Sequence, residues 1–195
     1  VIDRPDAVQS NIYLGLPVAN PADDDWITLS VANTMLGGSF ASRITRNIRE
    51  DKGYTYSPFS TISARQGDAF WAQIAAETTD VTGPALQEIM NEIDTLSNEP
   101  PSDAELDGIK NYAAGIFVLQ NSTRGGLINI LSYLELQELP DNYLTDYVSN
   151  VYAITPDQVS AIAKTYLREE DMTLAIVGDR SQISEQVEPY IRGED

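Results

Sequence analysis

Between Asn33 and Ser57 the chain reads NTMLGGSFASRITRNIREDKGYTYS. A helix end, a glycine pair, a basic helix and an aromatic strand follow one another there. No other stretch of the sequence resembles an active site. Within it Arg49 and Tyr56 stand seven residues apart. The sequence contains no histidine and no cysteine, so the usual metal ligands and bases of hydrolases are missing. Neither a Ser-His-Asp nor a Cys-His arrangement can form.

The 195 residues suit one domain, long enough to bury roughly 70% of its unfolded surface. A hydrophobic share of 42% supports a proper core, and no apolar run approaches the ~18 residues of a membrane span. A globular, soluble domain is expected, without membrane insertion. The opening VIDRPDAVQS has neither the basic nor the apolar region of a signal peptide. Val1 in place of Met implies a piece of a longer polypeptide. Thirty acidic against 12 basic residues give a net charge of −18, which repels phosphate backbones and argues against nucleic acid as a partner. The plain reading of that charge is solubility, including adaptation to high salt. Zero cysteine leaves the compartment open.

Val8 to Ala19 alternates as a strand, with Ile12, Leu14 and Leu16 on one face. Asp23, Asp24 and Asp25 open a helix to about Leu36, where three carboxylates in the first turn would complement the helix dipole. Gly37-Gly38 ends that helix and reads as a cap and close-packing site, since GGSFASR lacks the spacing and lysine of a phosphate loop. Phe40 to Lys52 predicts a second helix stopped by Gly53. Tyr54 to Ser63 and Asp68 to Glu77 predict an antiparallel hairpin joined through Arg65-Gln66-Gly67, with Tyr54 and Tyr56 on one strand face.

Val81 to Leu96 is amphipathic through Leu86, Ile89, Met90, Ile93 and Leu96. After Pro100-Pro101, Ser102 and Glu105 form a capping box opening a helix with Leu106, Ile109, Ala113, Ile116 and Phe117 as its apolar stripe. Gly125-Gly126 should break it before Leu127 to Leu136, and Asp141 to Tyr152 forms another helix. Thr155 to Gln158 is a second capping box with Pro156 at the first helical position. Met172 to Val177 is a short buried strand, and Ser181 to Tyr190 a closing helix. This order predicts an α+β fold, helices packed on one face of a largely antiparallel sheet, in a single domain covering 1–195.

Four of the basic residues, Arg43, Arg46, Arg49 and Lys52, fall within ten positions. For Arg43, Arg46 and Lys52 the plain role is a cation near a helix C-terminus, favourable by ~0.3–1 kcal/mol each. Arg49 is set apart by Tyr56. Arg offers five fixed donors and Tyr one phenolic donor on a rigid arm, which together suit a substrate backbone and an oxyanion, while most pairs at this spacing are a surface arginine and a core tyrosine. Asp103 and Asp107 lie one turn apart on a solvated helix face and are given no catalytic role.

The residues Leu36-Gly37-Gly38, Ser42-Arg43, Ile48-Arg49-Glu50, Lys52-Gly53 and Tyr56-Ser57 resemble the pitrilysin/insulinase family of zinc peptidases, in its C-terminal, non-zinc-binding type of domain. Asp3-Arg4-Pro5 with Gln9-Ser10 is similar to the family's domain opening, and Thr155-Pro156 with Leu174 to Asp179 to its closing stretch. The resemblance implies an α+β domain facing a related one that carries an H-x-x-E-H zinc motif. By resemblance, Arg49 would hold a substrate carbonyl and Tyr56 would hydrogen-bond the scissile carbonyl or tetrahedral intermediate. Tyr54 departs from the aliphatic residue more usual in the family.

The resemblance thus implies the substrate-binding, active-site-completing half of a zinc endopeptidase acting on peptides or unfolded proteins. This chain would hold no zinc or other cofactor. The zinc would sit in an H-x-x-E-H domain in the same polypeptide or a partner subunit, and the chain alone would be inactive. The alternative is a non-catalytic scaffold or peptide-binding subunit of the same fold.

Overall fold

The computed structural model describes residues 1–64 and 69–191. Its strands are β1 (Ile2–Asp3), β2 (Gln9–Val18), β3 (Phe59–Ser63), β4 (Ala69–Thr78) and β5 (Thr173–Gly178). They form one sheet in the order β1-β5-β2-β4-β3. The pairs β2–β4, β2–β5 and β3–β4 are antiparallel, and only the two-residue β1 runs parallel to its neighbour β5. The largely antiparallel sheet is thus as expected, while β1 is too short to leave a periodic signal. The predicted turn at Arg65-Gln66-Gly67 lies outside the described residues.

Alternation gives the sheet two unlike faces. Ile12, Leu14 and Leu16 of β2, Trp71 and Ala75 of β4 and Ile176 of β5 are buried on one face. Tyr13, Phe59 and Phe70 point the other way and are exposed. Helices α1 (Trp26–Asn33), α2 (Thr82–Asn98), α3 (Asp103–Gln120), α4 (Arg124–Leu136), α5 (Tyr143–Ala153), α6 (Pro156–Tyr166) and α7 (Arg180–Val187) complete the fold. The main core gathers Leu29, Leu36, Ile48, Trp71, Leu96 and Val159, and a smaller one gathers Ile12, Leu86, Ile176, Ile183 and Val187. Each fully buried Leu or Ile contributes about 1.5–3 kcal/mol.

Side chains set the helix boundaries. Thr155 Oγ1 accepts from the Gln158 amide and Gln158 Oε1 accepts from the Thr155 amide, so the predicted box closes both ways. At α3, Ser102 Oγ accepts from the Glu105 amide, but the Glu105 carboxylate makes no return bond because Arg43 takes it. The aspartates before α1 also differ from expectation. Asp25 is the N-cap, and none of the three lies in the first turn. Asp23 accepts from the Asn20 amide and Asp25 from the Tyr166 hydroxyl, so local and tertiary hydrogen bonds employ them.

The ends of the resemblance meet in space. The Arg4 amide donates to the Gly178 carbonyl at 2.8 Å, and the Arg180 amide donates to Asp3 Oδ1 at 3.0 Å. Asp179 caps α7 and also accepts from the Asp6 amide.

Candidate functional site

The glycine pair lies where the chain presses onto the sheet. Beyond α1 the helix widens into a π turn, Thr34–Gly38. A Cβ on Gly37 would stand 2.7 Å from both Gln73 Oε1 and Ser60 Oγ, so a larger side chain would have to displace them. Beside it, Asn33 Oδ1 accepts from Ser60 Oγ at 2.7 Å and from Trp71 Nε1 at 2.9 Å. The predicted close packing is therefore met by Gly37 against β3 and β4, whereas Gly38 packs on Asn33. Ser39 is extended, and the basic helix is wound as a π-helix over Thr45–Asp51. Phe40 falls outside it, in the link that follows the glycines. Ile44 and Ile48, fully buried, anchor that helix to the core.

Gly53 has φ +66°, the left-handed conformation that glycine adopts without strain, and it stops the helix as expected. The Tyr54 amide returns to the Ile48 carbonyl at 2.8 Å. Thr55 bridges Glu77 of β4, and its hydroxyl donates to the Ala76 carbonyl at 2.6 Å. The expected strand from Tyr54 is otherwise absent, because β3 begins at Phe59. Pro58 supplies no amide for pairing and restricts Ser57. As a result Tyr54 and Tyr56 do not share a solvent-facing side. Tyr54 packs against both core clusters, whereas Tyr56 is 79% exposed.

Carboxylates carried by other helices meet three of the four clustered cations. Arg43 donates through Nε to Glu105 Oε1 at 2.8 Å and through Nη2 to Glu105 Oε2 at 2.7 Å, a two-pronged pair. The hydrogen bonds from Arg43 hold the Glu105 carboxyl below its ordinary range and raise the guanidinium in return. Arg46 reaches the same Glu105 at 3.6 Å. Lys52 Nζ lies 2.9 Å from Glu88, whose carboxyl is lowered by that hydrogen bond, and Asn47 donates to both Glu88 and Glu92. These residues are structural, as expected, but they tie the basic helix to α2 and α3 instead of answering its dipole.

Arg49 is held differently. Its Cζ lies over the Tyr56 ring, 4.9 Å from the centroid, and over the Phe40 ring at 4.4 Å. Its Nε is 3.2 Å from Glu50 Oε1. The Nη groups and the Tyr56 hydroxyl make no hydrogen bond among the described residues. Arg49 and Tyr56 thus stand side by side at the surface, with donors suited to a carbonyl or carboxylate oxygen. Phe40 is the member of this group that sequence reasoning missed. The sequence places it at the start of a helix, and only its 70% exposure in space marks it.

One titratable group lies beneath. Glu77 is 1% exposed, receives a hydrogen bond from Ser10 Oγ at 3.2 Å, and has an unpaired Oε2 among the described residues. Burial pushes its carboxyl up to about 8. No group of three or more possible ligands among the described residues is arranged to hold a metal ion. With neither His nor Cys in the sequence, the donor set does not fit a peptidase zinc. No helix among the described residues is long and apolar enough to cross a membrane.

Comparison with known proteins agrees with this architecture. A Pseudomonas fluorescens structure described as a peptidase M16 inactive domain superposes with a TM-score of 0.84 over 91% of this chain and 42% of its own, at 23% identity. An uncharacterized zinc protease of Streptomyces coelicolor is 26% identical over 170 residues, 87% of this chain and 37% of that protein. A Helicobacter pylori protein named a non-peptidase homolog is 23% identical over 183 residues, 91% of this chain and 41% of its own. The chain thus spans about two-fifths of the length of these curated relatives. The family described as the peptidase M16 inactive domain matches residues 1–112, more than half of the sequence, and the chain belongs to that family.

Proposed function

We propose that this chain is the substrate-binding, active-site-completing half of a zinc-dependent endopeptidase. The zinc is held by a separate H-x-x-E-H domain in the same polypeptide or a partner subunit. Arg49 holds a substrate carbonyl, and the Tyr56 hydroxyl hydrogen-bonds the scissile carbonyl as charge develops on it. The observation that carries this reading is the pairing of Arg49 with Tyr56 at 4.9 Å while both keep free donors. Chain length supports it as well, since relatives named zinc proteases are more than twice as long as the stretch they share with this chain.

No step is routed through a metal on this chain, whose residues do not fit one. In the other reading the domain is a non-catalytic scaffold or peptide-binding subunit, which the relative named a non-peptidase homolog favours. The test is cleavage of an unfolded peptide by an H-x-x-E-H domain of this family, with zinc, in the presence and absence of this chain. Cleavage that needs both supports the first reading. An H-x-x-E-H domain that cleaves equally well alone, or not at all with the chain added, favours the scaffold.

A further inference from the structure

We propose that Phe40 is a positioning residue of this site, holding the Arg49 guanidinium in place for a peptide carbonyl or carboxylate without consuming its donors. This rests on the reading of Arg49 and Tyr56 as peptide contacts and adds a third residue to them.

The argument begins with competition. In a chain of net charge −18, carboxylates outnumber cations and compete for those of the basic helix. Arg43 commits Nε and Nη2 to Glu105, Arg46 leans on the same group, and Lys52 is taken by Glu88. An arginine paired in that way has spent the in-plane N–H groups that would recognise a substrate. An aromatic ring holds a guanidinium through the ring face, an attraction that leaves those N–H groups free. Arg49 has two such rings at 4.4 and 4.9 Å, and its nearest approach to a carboxylate is Nε to Glu50 at 3.2 Å. The guanidinium is thereby ordered while its Nη donors remain open.

Nothing else accounts for Phe40. The ring is 70% exposed and belongs to neither core cluster. Its place is fixed from both sides. Gly37 is pinned against Ser60 and Gln73, and Ile44 begins the buried anchor of the basic helix. The short link between them delivers the ring to Arg49.

The experiment uses this chain and a fluorescein-labelled, unstructured 20-residue peptide rich in Lys, Ser and Leu. Proton NMR of the Arg49 side chain reports ring stacking, and fluorescence anisotropy reports binding. Phe40→Leu is expected to reduce the upfield ring-current shift of the Arg49 methylene and Nε protons. It should weaken the peptide roughly three- to tenfold. Phe40→Tyr should keep both near wild type, and all variants should unfold like the parent because the side chain is exposed. An unchanged Arg49 shift in Phe40→Leu, or a lost shift with unchanged affinity, overturns the inference. Arg49→Ala and Tyr56→Phe separate this failure from the larger one. If both bind like wild type, the site is not a peptide site and both readings fall. If Arg49→Ala alone weakens binding while Phe40→Leu does not, only Phe40 is misassigned.

Discussion

Glu105 is used twice, its amide capped by Ser102 at 3.2 Å and its carboxylate gripping both prongs of Arg43 at 2.7 and 2.8 Å. One residue therefore starts α3 and docks the basic helix against it. Because Arg49 rides on that helix, the contact also sets where the site stands.

Glu105→Gln keeps the helix start, since only the amide is used there, but it removes the charge from the pair. The expected loss is about 1–3 kcal/mol in denaturant unfolding, typical of a hydrogen bond to a charged group. Acid should mimic the change. The folded carboxyl lies below its unfolded value, so its stabilisation is full above the unfolded pKa and is lost as pH falls through the folded one. A Gln variant as stable as wild type at neutral pH would show that the pair contributes nothing net.

Two glycines should respond in opposite directions. Gly37→Ala places a methyl 2.7 Å from two polar side-chain atoms, and a cost of about 1–3 kcal/mol is expected. Gly108, inside α3, has nothing within 4 Å of its would-be Cβ, so Gly108→Ala should stabilise by about 0.4–1 kcal/mol. Thermal unfolding of both variants beside the parent tests the pair. Equal effects would contradict the packing assigned to Gly37.

Glu77 gives stability an unusual pH dependence. Its folded carboxyl titrates at about 8, above the unfolded value, so the folded state binds the extra proton. Its contribution is greatest below the unfolded pKa, declines from about pH 4.5 to pH 8, and is then flat, a total of a few kcal/mol. Glu88 and Glu105 act in the opposite sense, but only at more acidic pH. Unfolding measured at pH 5, 6.5 and 8 should therefore show falling stability in the parent and a flatter profile in Glu77→Gln. Parallel profiles would remove Glu77 as the cause.

In an assembled peptidase the two proposed contacts should leave different kinetic marks. Tyr56→Phe removes a donor used as charge develops, so kcat should fall tenfold or more with KM little changed. Arg49→Ala removes a contact made to bound substrate and transition state alike, so KM should rise with kcat little changed. Wild-type constants in either variant would sink that residue's role.

What could be read from the sequence was local in origin. Capping at Thr155 and Ser102, the α2 stripe and the stop at Gly53 each depend on neighbours within a turn. So does the excess of cations between Arg43 and Lys52. The rest depended on contacts across the fold. Which carboxylate each cation meets, the ring of Phe40 over Arg49 and the burial of Glu77 leave no periodic trace. Tyr54 and Tyr56 were misplaced because period-two reasoning assumes a paired strand, which Pro58 delays until Phe59. Arg49 and Tyr56 were singled out by family likeness, since spacing alone would not have chosen them.

The strand order has a mechanical corollary. β1 forms one margin of the sheet and β3, next to Tyr56, the other. Four strand spacings of about 4.8 Å separate them, or ~19 Å. Under the proposed role, chain joined ahead of Val1 would be anchored at the first margin, and a peptide held by Arg49 would load the second. The sheet would then serve as a crossbar, through which a slight rotation at the anchored side would become a displacement at the working side. Altering the anchorage would thus retune the reach of Arg49 and Tyr56 with no change to either residue.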